Sequence, residues 1–251
     1  MAFGISISLG RARNAGGMLL PSRQTARVKH SIARPRSRHR ASHIQTREPS
    51  IMLLTAKRTV DIVGAGLGLL VCAPLFIGIA VAIRMTSPGP IFFRQKRYGY
   101  HGRRFCIYKF RTMFVHLGDD RGTRQTQTDD PRVTPIGRIL RKSSLDELPQ
   151  LINVLTGDMS LVGPRPHVPG MFAGGMLYEE LTPYYFQRHN MRPGITGLAQ
   201  VSGYRGSTAV PLSAIERLER DLQYIARWSL LLDLSIIVRT MVRELFAGSG
   251  D

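Results

Sequence analysis

The longest apolar run in the chain extends from Ile62 to Ile83, 22 residues without a charge. At about 1.5 Å rise per residue, a straight helix of that length just spans a bilayer. Two features turn the reading away from a simple crossing. Pro74 falls in the middle of the run, where it deletes a backbone hydrogen bond and clashes with the preceding turn. The flanks also agree in sign, with Lys57 and Arg58 before the run and Arg84, Arg94, Lys96 and Arg97 after it. Positive charge marks the cytoplasmic side, so like flanks keep both ends there. The pattern predicts a re-entrant, helix–break–helix hairpin dipping into one leaflet. Its halves, Ile62–Ala73 and Leu75–Ile83, are each on the order of 14–18 Å long and too short to cross alone. Gly64, Gly66 and Gly68 lack the preceding strand and the ribose-binding acid of a nucleotide loop, and read as small residues that let helices approach closely.

Beyond Arg84 the pattern changes to an α/β-type soluble region. Ser87-Pro88-Gly89-Pro90 is a turn, and Ile91–Gln95 and Arg104–Phe110 read as short strands around the Gly99–Gly102 turn. Residues 116–130 are polar and read as a loop. Helices are expected around Ile136–Arg141 and from about Asp146 to Leu155, the second ended near Gly157. Leu212–Trp228 reads as a further helix. Leu230, Leu234, Ile237, Met241 and Leu245 then fall on one face of a last, amphipathic helix. That stripe packs on the core or lies on the membrane surface, the core reading being slightly favoured. The organisation expected is a basic disordered tail over 1–50, a re-entrant membrane helix over 51–86 and a cytoplasmic domain over 87–251.

Charge adds a constraint. The chain of 251 residues, enough for one sizeable core, carries a formal net charge of +18. An anionic partner is implied: nucleic acid, acidic lipid or a phosphorylated substrate. Residues 1–50 hold ten Lys/Arg against the single acid Glu48. Such a tail suits anionic headgroups at about 1 kcal/mol per basic residue near the surface, and Met52 stands as an alternative start. Nucleic-acid binding would explain the charge but not the uncharged run, so no nucleic-acid partner is expected. The two cysteines, Cys72 and Cys106, suggest neither a disulfide framework nor a metal knuckle. No secretory signal is evident, since Ile5–Leu9 is too short for an h-region.

The chain has no Walker loop, no Gly-x-Ser-x-Gly elbow and no His-x-x-x-His. What remains is a set of basic residues in Gly/Pro-rich turns around one acidic pair: Lys109, Arg111, Arg138, Arg141, Lys142 and Arg165 about Asp146–Glu147. Local rules alone make that pair a helix cap, because Ser144-Leu145-Asp146-Glu147 fits a capping box and Pro149 suits a first turn. The chemical alternative is that carboxylates with substrate phosphates hold Mg²⁺, that arginine forks match phosphate oxygens, and that a carboxylate can attack phosphorus.

Several blocks in order resemble the bacterial sugar transferases, or monotopic phosphoglycosyl transferases. They are Lys57-Arg58-Thr59-Val60-Asp61, Ser87-Pro88-Gly89-Pro90-Ile91-Phe92-Phe93-Arg94-Gln95, and Lys109-Phe110-Arg111-Thr112-Met113. The densest is Leu140-Arg141-Lys142-Ser143-Ser144-Leu145-Asp146-Glu147-Leu148-Pro149-Gln150, continuing into Gly157-Asp158-Met159-Ser160-Leu161-Val162-Gly163-Pro164-Arg165-Pro166. Arg192-Pro193-Gly194-Ile195-Thr196-Gly197 and Trp228-Ser229 through Leu232-Asp233-Leu234 follow.

The resemblance implies an enzyme of the bacterial inner membrane, with its catalytic domain facing the cytoplasm. Asp146 would attack the β-phosphorus of a UDP-sugar, UMP would leave, and polyprenyl phosphate would take the phosphosugar, priming exopolysaccharide synthesis. It implies Glu147 as the Mg²⁺ ligand and Lys109, Arg111, Arg141 and Arg165 as phosphate-binding residues. Asp233 would be a supporting acid, against the plainer reading of a polar residue on the wet side of a helix. Membrane lipid is a further expected partner, and the resemblance leaves room for a homodimer. Two departures stand out: the basic tail occupies the place of the additional membrane helices of larger members, as in the minimal form, and Val201-Ser202-Gly203-Tyr204-Arg205-Gly206 replaces a shorter Val-x-Gly-Arg turn. The minimal form looks most like enzymes that transfer a hexose phosphate, glucose or galactose. A non-catalytic, basic membrane-anchored scaffold is the competing class.

Overall fold

One helix, α1, runs unbroken from Ile51 to Thr86, 36 residues and about 54 Å at the standard rise. Ser50 caps its start by accepting from the Leu53 N–H, and extended Ser87 ends it. The predicted break at Pro74 is not a break in the structure, because Pro74 lies inside the helix. Packing on neighbours holds the helix together around the missing hydrogen bond. Residues 50–118, 129–173, 175–204 and 211–246 are described by a computed structural model. Residues 1–49 of the expected basic tail, and Arg205 and Gly206 of the departing turn, lie outside them.

The rest is a mixed helix/sheet domain with three two-stranded sheets where the sequence suggested an α/β type. Strands β1 (Phe92–Tyr98) and β2 (Arg104–Phe110) pair antiparallel, with Phe93 opposite Lys109. Helix α2 (Pro135–Lys142) starts on the Thr134 side chain, which accepts from the Gly137 N–H, with proline in the first turn. Helix α3 (Gln150–Thr156) stops at Gly157, whose φ of +93° is left-handed. Strand β3 (Ser160–Val162) pairs in parallel with β6 (Gly194–Thr196). Between them lies the small hairpin of β4 (Phe172–Ala173) and β5 (Met176–Leu177). Helices α4 (Leu198–Val201), α5 (Pro211–Ala226) and α6 (Leu230–Phe246) complete the domain.

Both ends of α1 are built into this domain. Near its start, Ala65 packs with Ile107, Leu151, Val154 and Met159. Near its end, Ile79 and Ile83 pack with Phe110 and Leu140, and the Phe76 ring meets Phe110 edge-on at 5.1 Å. The outer face is bare: Leu67, Leu70, Val71, Leu75, Ile77 and Val81 are exposed. The helix is long and apolar enough to cross a membrane, and only 11% of its most apolar 18-residue window is buried, unlike a soluble core helix.

Polar latches reinforce the packing at the first end. Buried Lys57 donates to Asp233 Oδ2 at 2.7 Å and to the Val162 carbonyl at 3.1 Å. Asp233 also accepts from Tyr224 Oη (2.8 Å) and Trp228 Nε1 (3.1 Å). Asp61 accepts from Ser160 Oγ and the Leu161 N–H, each at 2.9 Å. Arg58 donates to the carbonyls of Val154 and Leu155 in the last turn of α3. Two of the charges that marked topology in the sequence are therefore internal fasteners.

The demand for Asp233 at Lys57 also sets the rotation of α6. Ile236 and Asp233 face inward, while Leu231, Leu234, Val238, Met241 and Val242 form an outward apolar stripe. The favoured core reading of that stripe fails at Leu234 and Met241 for this reason.

Removing the Lys57 charge leaves Asp233 buried without its cation. Lys57→Met should lower stability by about 3–5 kcal/mol, read as a drop in the thermal midpoint of detergent-purified protein. Leu70→Ala on the bare face should leave that midpoint unchanged.

Candidate active site

The acid pair does not begin a regular helix. Leu145–Glu147 is a single 3-10 turn before α3, and Ser144 ahead of it is left-handed, with φ +56°, and makes no side-chain cap. The expected capping box is absent because the Glu147 carboxylate is drawn elsewhere. Lys109 Nζ donates to its Oε1 at 2.7 Å. Arg165 grips it with two prongs, Nη2 to Oε1 at 2.5 Å and Nη1 to Oε2 at 3.1 Å. Charge-assisted, bidentate contacts of this kind outweigh a single bond to a backbone N–H.

Three separate segments converge here, and each is held locally. Asn153 in α3 imitates a strand partner for β2: its amide donates to the Cys106 carbonyl at 2.8 Å and its oxygen accepts from the Tyr108 N–H at 2.9 Å. That joint fixes the acid turn against Lys109, the next residue of β2. Arg165 rides on the Gly163–Pro166 turn, which lies tight against the Arg192–Gly194 segment. A Cβ on Gly163 would stand 2.3 Å from the Arg192 carbonyl oxygen, and one on Gly194 would stand 2.0 Å from the Gly163 nitrogen. Only glycine permits that approach. The turn is clamped from behind by Arg188, which donates to the Arg165 carbonyl at 2.6 Å and to Asp221 at 2.5 Å, and by Arg97, which donates to the Pro166 carbonyl at 3.2 Å.

The two acids differ electrostatically. Burial pushes both carboxyls up. At Glu147, Arg165 and Lys109 overcome burial and hold the group well below the usual carboxylate range. At Asp146 burial dominates, Lys109 opposes it only from 3.7 Å, and neighbouring Glu147 adds to the upward push, so its pKa is raised. Glu147 is thus the fixed anion, and Asp146 is the more basic carboxylate beside it. The surroundings carry surplus positive charge: burial, then repulsion from Arg165, lowers Arg97 to about 10.

The expected site residues divide. Lys109 and Arg165 meet Glu147 directly, and Arg141, in the last turn of α2, lies close enough for its charge to favour ionised Asp146. Arg111 does not join them. It is buried at the end of α1, donating to the Pro88 carbonyl and to the carbonyl and hydroxyl of Ser87. Asp233 is likewise spent on Lys57, Tyr224 and Trp228, neither beside the acid pair nor on the wet side of its helix. Arg97 and Arg188 were missed: the first reads in sequence as flanking membrane charge, and no motif marks the second.

Beside Glu147 lies a pocket of about 260 Å³ reaching toward α4 and α6. No group of three or more His, Cys, Asp or Glu side chains among the described residues is arranged to hold a metal ion by itself. A cation at this site would depend on the acid pair and on oxygens brought by substrate.

Comparison with known proteins agrees with the geometry. The exopolysaccharide production protein PSS of Rhizobium leguminosarum bv. phaseoli is 51% identical over 199 residues, covering 79% of this chain and all of that protein. A UDP-glucose:undecaprenyl-phosphate glucose-1-phosphate transferase of Xanthomonas campestris pv. campestris is 50% identical over 194 residues, 76% of this chain and 39% of that one. The undecaprenyl-phosphate glucose phosphotransferase of Komagataeibacter xylinus is 47% identical over 204 residues, 81% of this chain and 38% of its own. The chain thus spans the whole of the first relative and about two fifths of the other two. Residues 52–247 match the family described as bacterial sugar transferase. With most of its length inside that match, the chain belongs to the bacterial sugar transferase family.

Proposed function

We propose that this protein transfers a sugar-1-phosphate, glucose-1-phosphate foremost, from a UDP-sugar to undecaprenyl phosphate, through a phosphosugar carried on Asp146, and so primes exopolysaccharide synthesis. The observation that carries the reading is the asymmetry of the acid pair. Glu147 is neutralised by two cations, whereas Asp146 keeps a raised pKa and its nearest cation 3.7 Å away. A carboxylate of raised basicity, oriented by a fixed neighbour, suits nucleophilic attack on phosphorus. The names of the relatives supply the donor and the acceptor.

In the first step an Asp146 oxygen bonds to the β-phosphorus, and the bond from that phosphorus to the bridging oxygen breaks. UMP leaves with that oxygen, and a phosphosugar ester remains on the carboxyl. In the second step an oxygen of the lipid phosphate attacks the same phosphorus. The aspartyl O–P bond breaks, which restores the carboxylate and gives a polyprenyl-diphosphate-sugar. Charge builds on the phosphate oxygens in both steps, and Lys109, Arg165 and Arg141 stand ready to offset it. Mg²⁺ fits the same place in number of ligands, since the adjacent carboxylates with two substrate phosphates make a set that this ion takes. Bound there, it would neutralise phosphate charge as a Lewis acid. Both Glu147 oxygens are engaged by Lys109 and Arg165, so coordination by Glu147 goes with those cations turning to the phosphates.

The same reading places α1 in the cytoplasmic leaflet of the inner membrane, with its bare face in lipid and both ends on the cytoplasmic side. Its support is that Lys57 and Ile83, at opposite ends of the apolar run, are packed into one domain. A spanning helix would pull one end away from its partners. The outward stripe of α6, from Leu231 to Val242, reads as a second, interfacial contact.

Asp146→Asn should abolish exchange of labelled UMP into UDP-glucose in the absence of acceptor, with the thermal midpoint retained; undiminished exchange would remove Asp146 as nucleophile. Mn²⁺, used in place of Mg²⁺, should give a bound electron-spin-resonance signal with UDP-glucose that is lost in Glu147→Gln. Equal signals in the two proteins would take Glu147 out of the metal shell. For topology, single cysteines at the exposed positions Ser50 and Thr86 should both resist a membrane-impermeant thiol reagent in intact cells. Labelling of either from the periplasm overturns the placement of both ends on the cytoplasmic side.

A further inference from the structure

We infer that the 260 Å³ pocket beside Glu147 receives the first isoprene units of the lipid acceptor; this rests on the transfer reaction proposed above and adds to it a site for the chain. Leu145, Leu148, Leu151, Ile195 and Val201 supply its apolar wall. Its size is below that of pockets that enclose a whole drug-sized ligand, so it suits a fragment and neither the uridine nucleotide nor the entire lipid.

The polar groups on its lining decide between a sugar and a hydrocarbon, and most of them face one another. The Thr196 and Thr240 hydroxyls share a hydrogen bond of 2.7 Å, and Thr240 Oγ1 also reaches the Ile236 carbonyl. Ser143 Oγ donates to the carbonyls of Ile139 and Leu140. The Gln200 amide NH₂ donates to the Ile195 carbonyl, and Arg243 donates to the Gln200 carbonyl. Gln200 Oε1 is buried without a partner. Ser144 and the Glu244 carboxylate complete the polar lining. Along the leucine, isoleucine and valine wall a hexose hydroxyl finds no partner, and each hydroxyl left unsatisfied would cost about 1–3 kcal/mol. An isoprene unit makes no such demand.

The ends of the pocket match the two ends of the acceptor. At one end Glu147 brings Lys109 and Arg165, cations for a phosphate. At the other, the walls belong to the membrane helix assembly. Leu151 packs against Ala65 and lies 3.2 Å from where a Gly68 Cβ would be, and Leu148 packs with the Ile79–Ile83 cluster. A prenyl chain leaving the pocket along these leucines reaches the apolar helix whose outer face carries Leu67, Leu70 and Val71.

The two half-reactions separate this site from the donor site. Val201→Trp, which fills the pocket, should raise the KM for undecaprenyl phosphate at least tenfold. UMP exchange into UDP-glucose, which needs no acceptor, should stay within about twofold of the wild type. A short alkyl phosphate, having no chain to seat, should be used equally by both proteins. An acceptor KM that does not move, or exchange that falls in step with transfer, overturns the proposal; the second result would give the pocket to the donor sugar. Should Val201→Trp fail to fold, a diazirine-bearing isoprenoid monophosphate photolysed with the wild-type protein in membranes decides. It should label peptides containing residues 195–201 or 240–244, and label confined to other segments refutes the site. Loss of exchange in Asp146→Asn tests the covalent reaction independently, so failure of the pocket and failure of the reaction are told apart.

Discussion

The Glu147 carboxylate, held between Lys109 of β2 and Arg165 of the Gly163–Pro166 turn, is the joint on which the site depends. A buried anion is tolerable only when paired, and removing one partner from such an arrangement costs several kcal/mol. Three segments distant in sequence are therefore committed to one point. The commitment is passed outward: Asn153 ties α3 to β2, Arg188 and Arg97 clamp the turn behind Arg165, and Arg58 takes the last carbonyls of α3. Asp146, one residue from the joint, is paired more loosely, with Lys109 at 3.7 Å. The neighbour that is paired allows the other to remain available, which is the division that covalent chemistry on a carboxylate requires.

The same logic governs the membrane helix. Lys57, Arg58 and Arg97 look in sequence like flanking charges that would sit among headgroups, and in the structure all three are bonded inside the domain. Arg84, Arg94 and Lys96 remain exposed. Half of the positive flank thus contributes tertiary structure: Lys57 and Arg58 secure the first end of α1, while the packing of Ile79 and Ile83 and the bonds of Arg111 to Ser87 hold the other. Anchoring at both ends has a mechanical consequence. On the proposed placement, the depth of the helix in lipid and the height of the acid pair above it cannot vary independently.

Periodicity alone located much of the fold. The β1–β2 hairpin, α2, α5 and α6 follow from alternation, turn residues and apolar spacing, because each is stabilised mainly by its own neighbours. Where sequence reasoning failed, tertiary contacts had overruled a local preference. Ser144 to Glu147 has the composition of a capping box, yet Lys109 and Arg165 claim the glutamate and the turn becomes 3-10. Leu234 and Met241 have core spacing, yet Lys57 needs Asp233 and the helix rotates them outward. Pro74 has the signature of a break, yet α1 runs through it. The acid pair and Arg165 were legible because their motif is dense. Arg188 was not, since a buried cation whose partners are a carbonyl 23 residues away and an aspartate 33 residues away leaves no local trace.

One consequence concerns the order of substrates. On one side of Glu147 the surroundings are cationic, with Lys109, Arg165, Arg141 and Arg97, and the anion they favour is a diphosphate of high charge. On the other side the pocket is walled by leucine, isoleucine and valine against the membrane helix, and favours hydrocarbon. Under the proposed reaction, two substrates that share a reacting phosphorus but neither solubility nor shape meet at one carboxylate pair. A covalent intermediate is the economical solution to that geometry. It removes the need for a cavity holding a nucleotide, a sugar and a lipid at once, and the pocket beside Glu147, at about 260 Å³, is too small for all three.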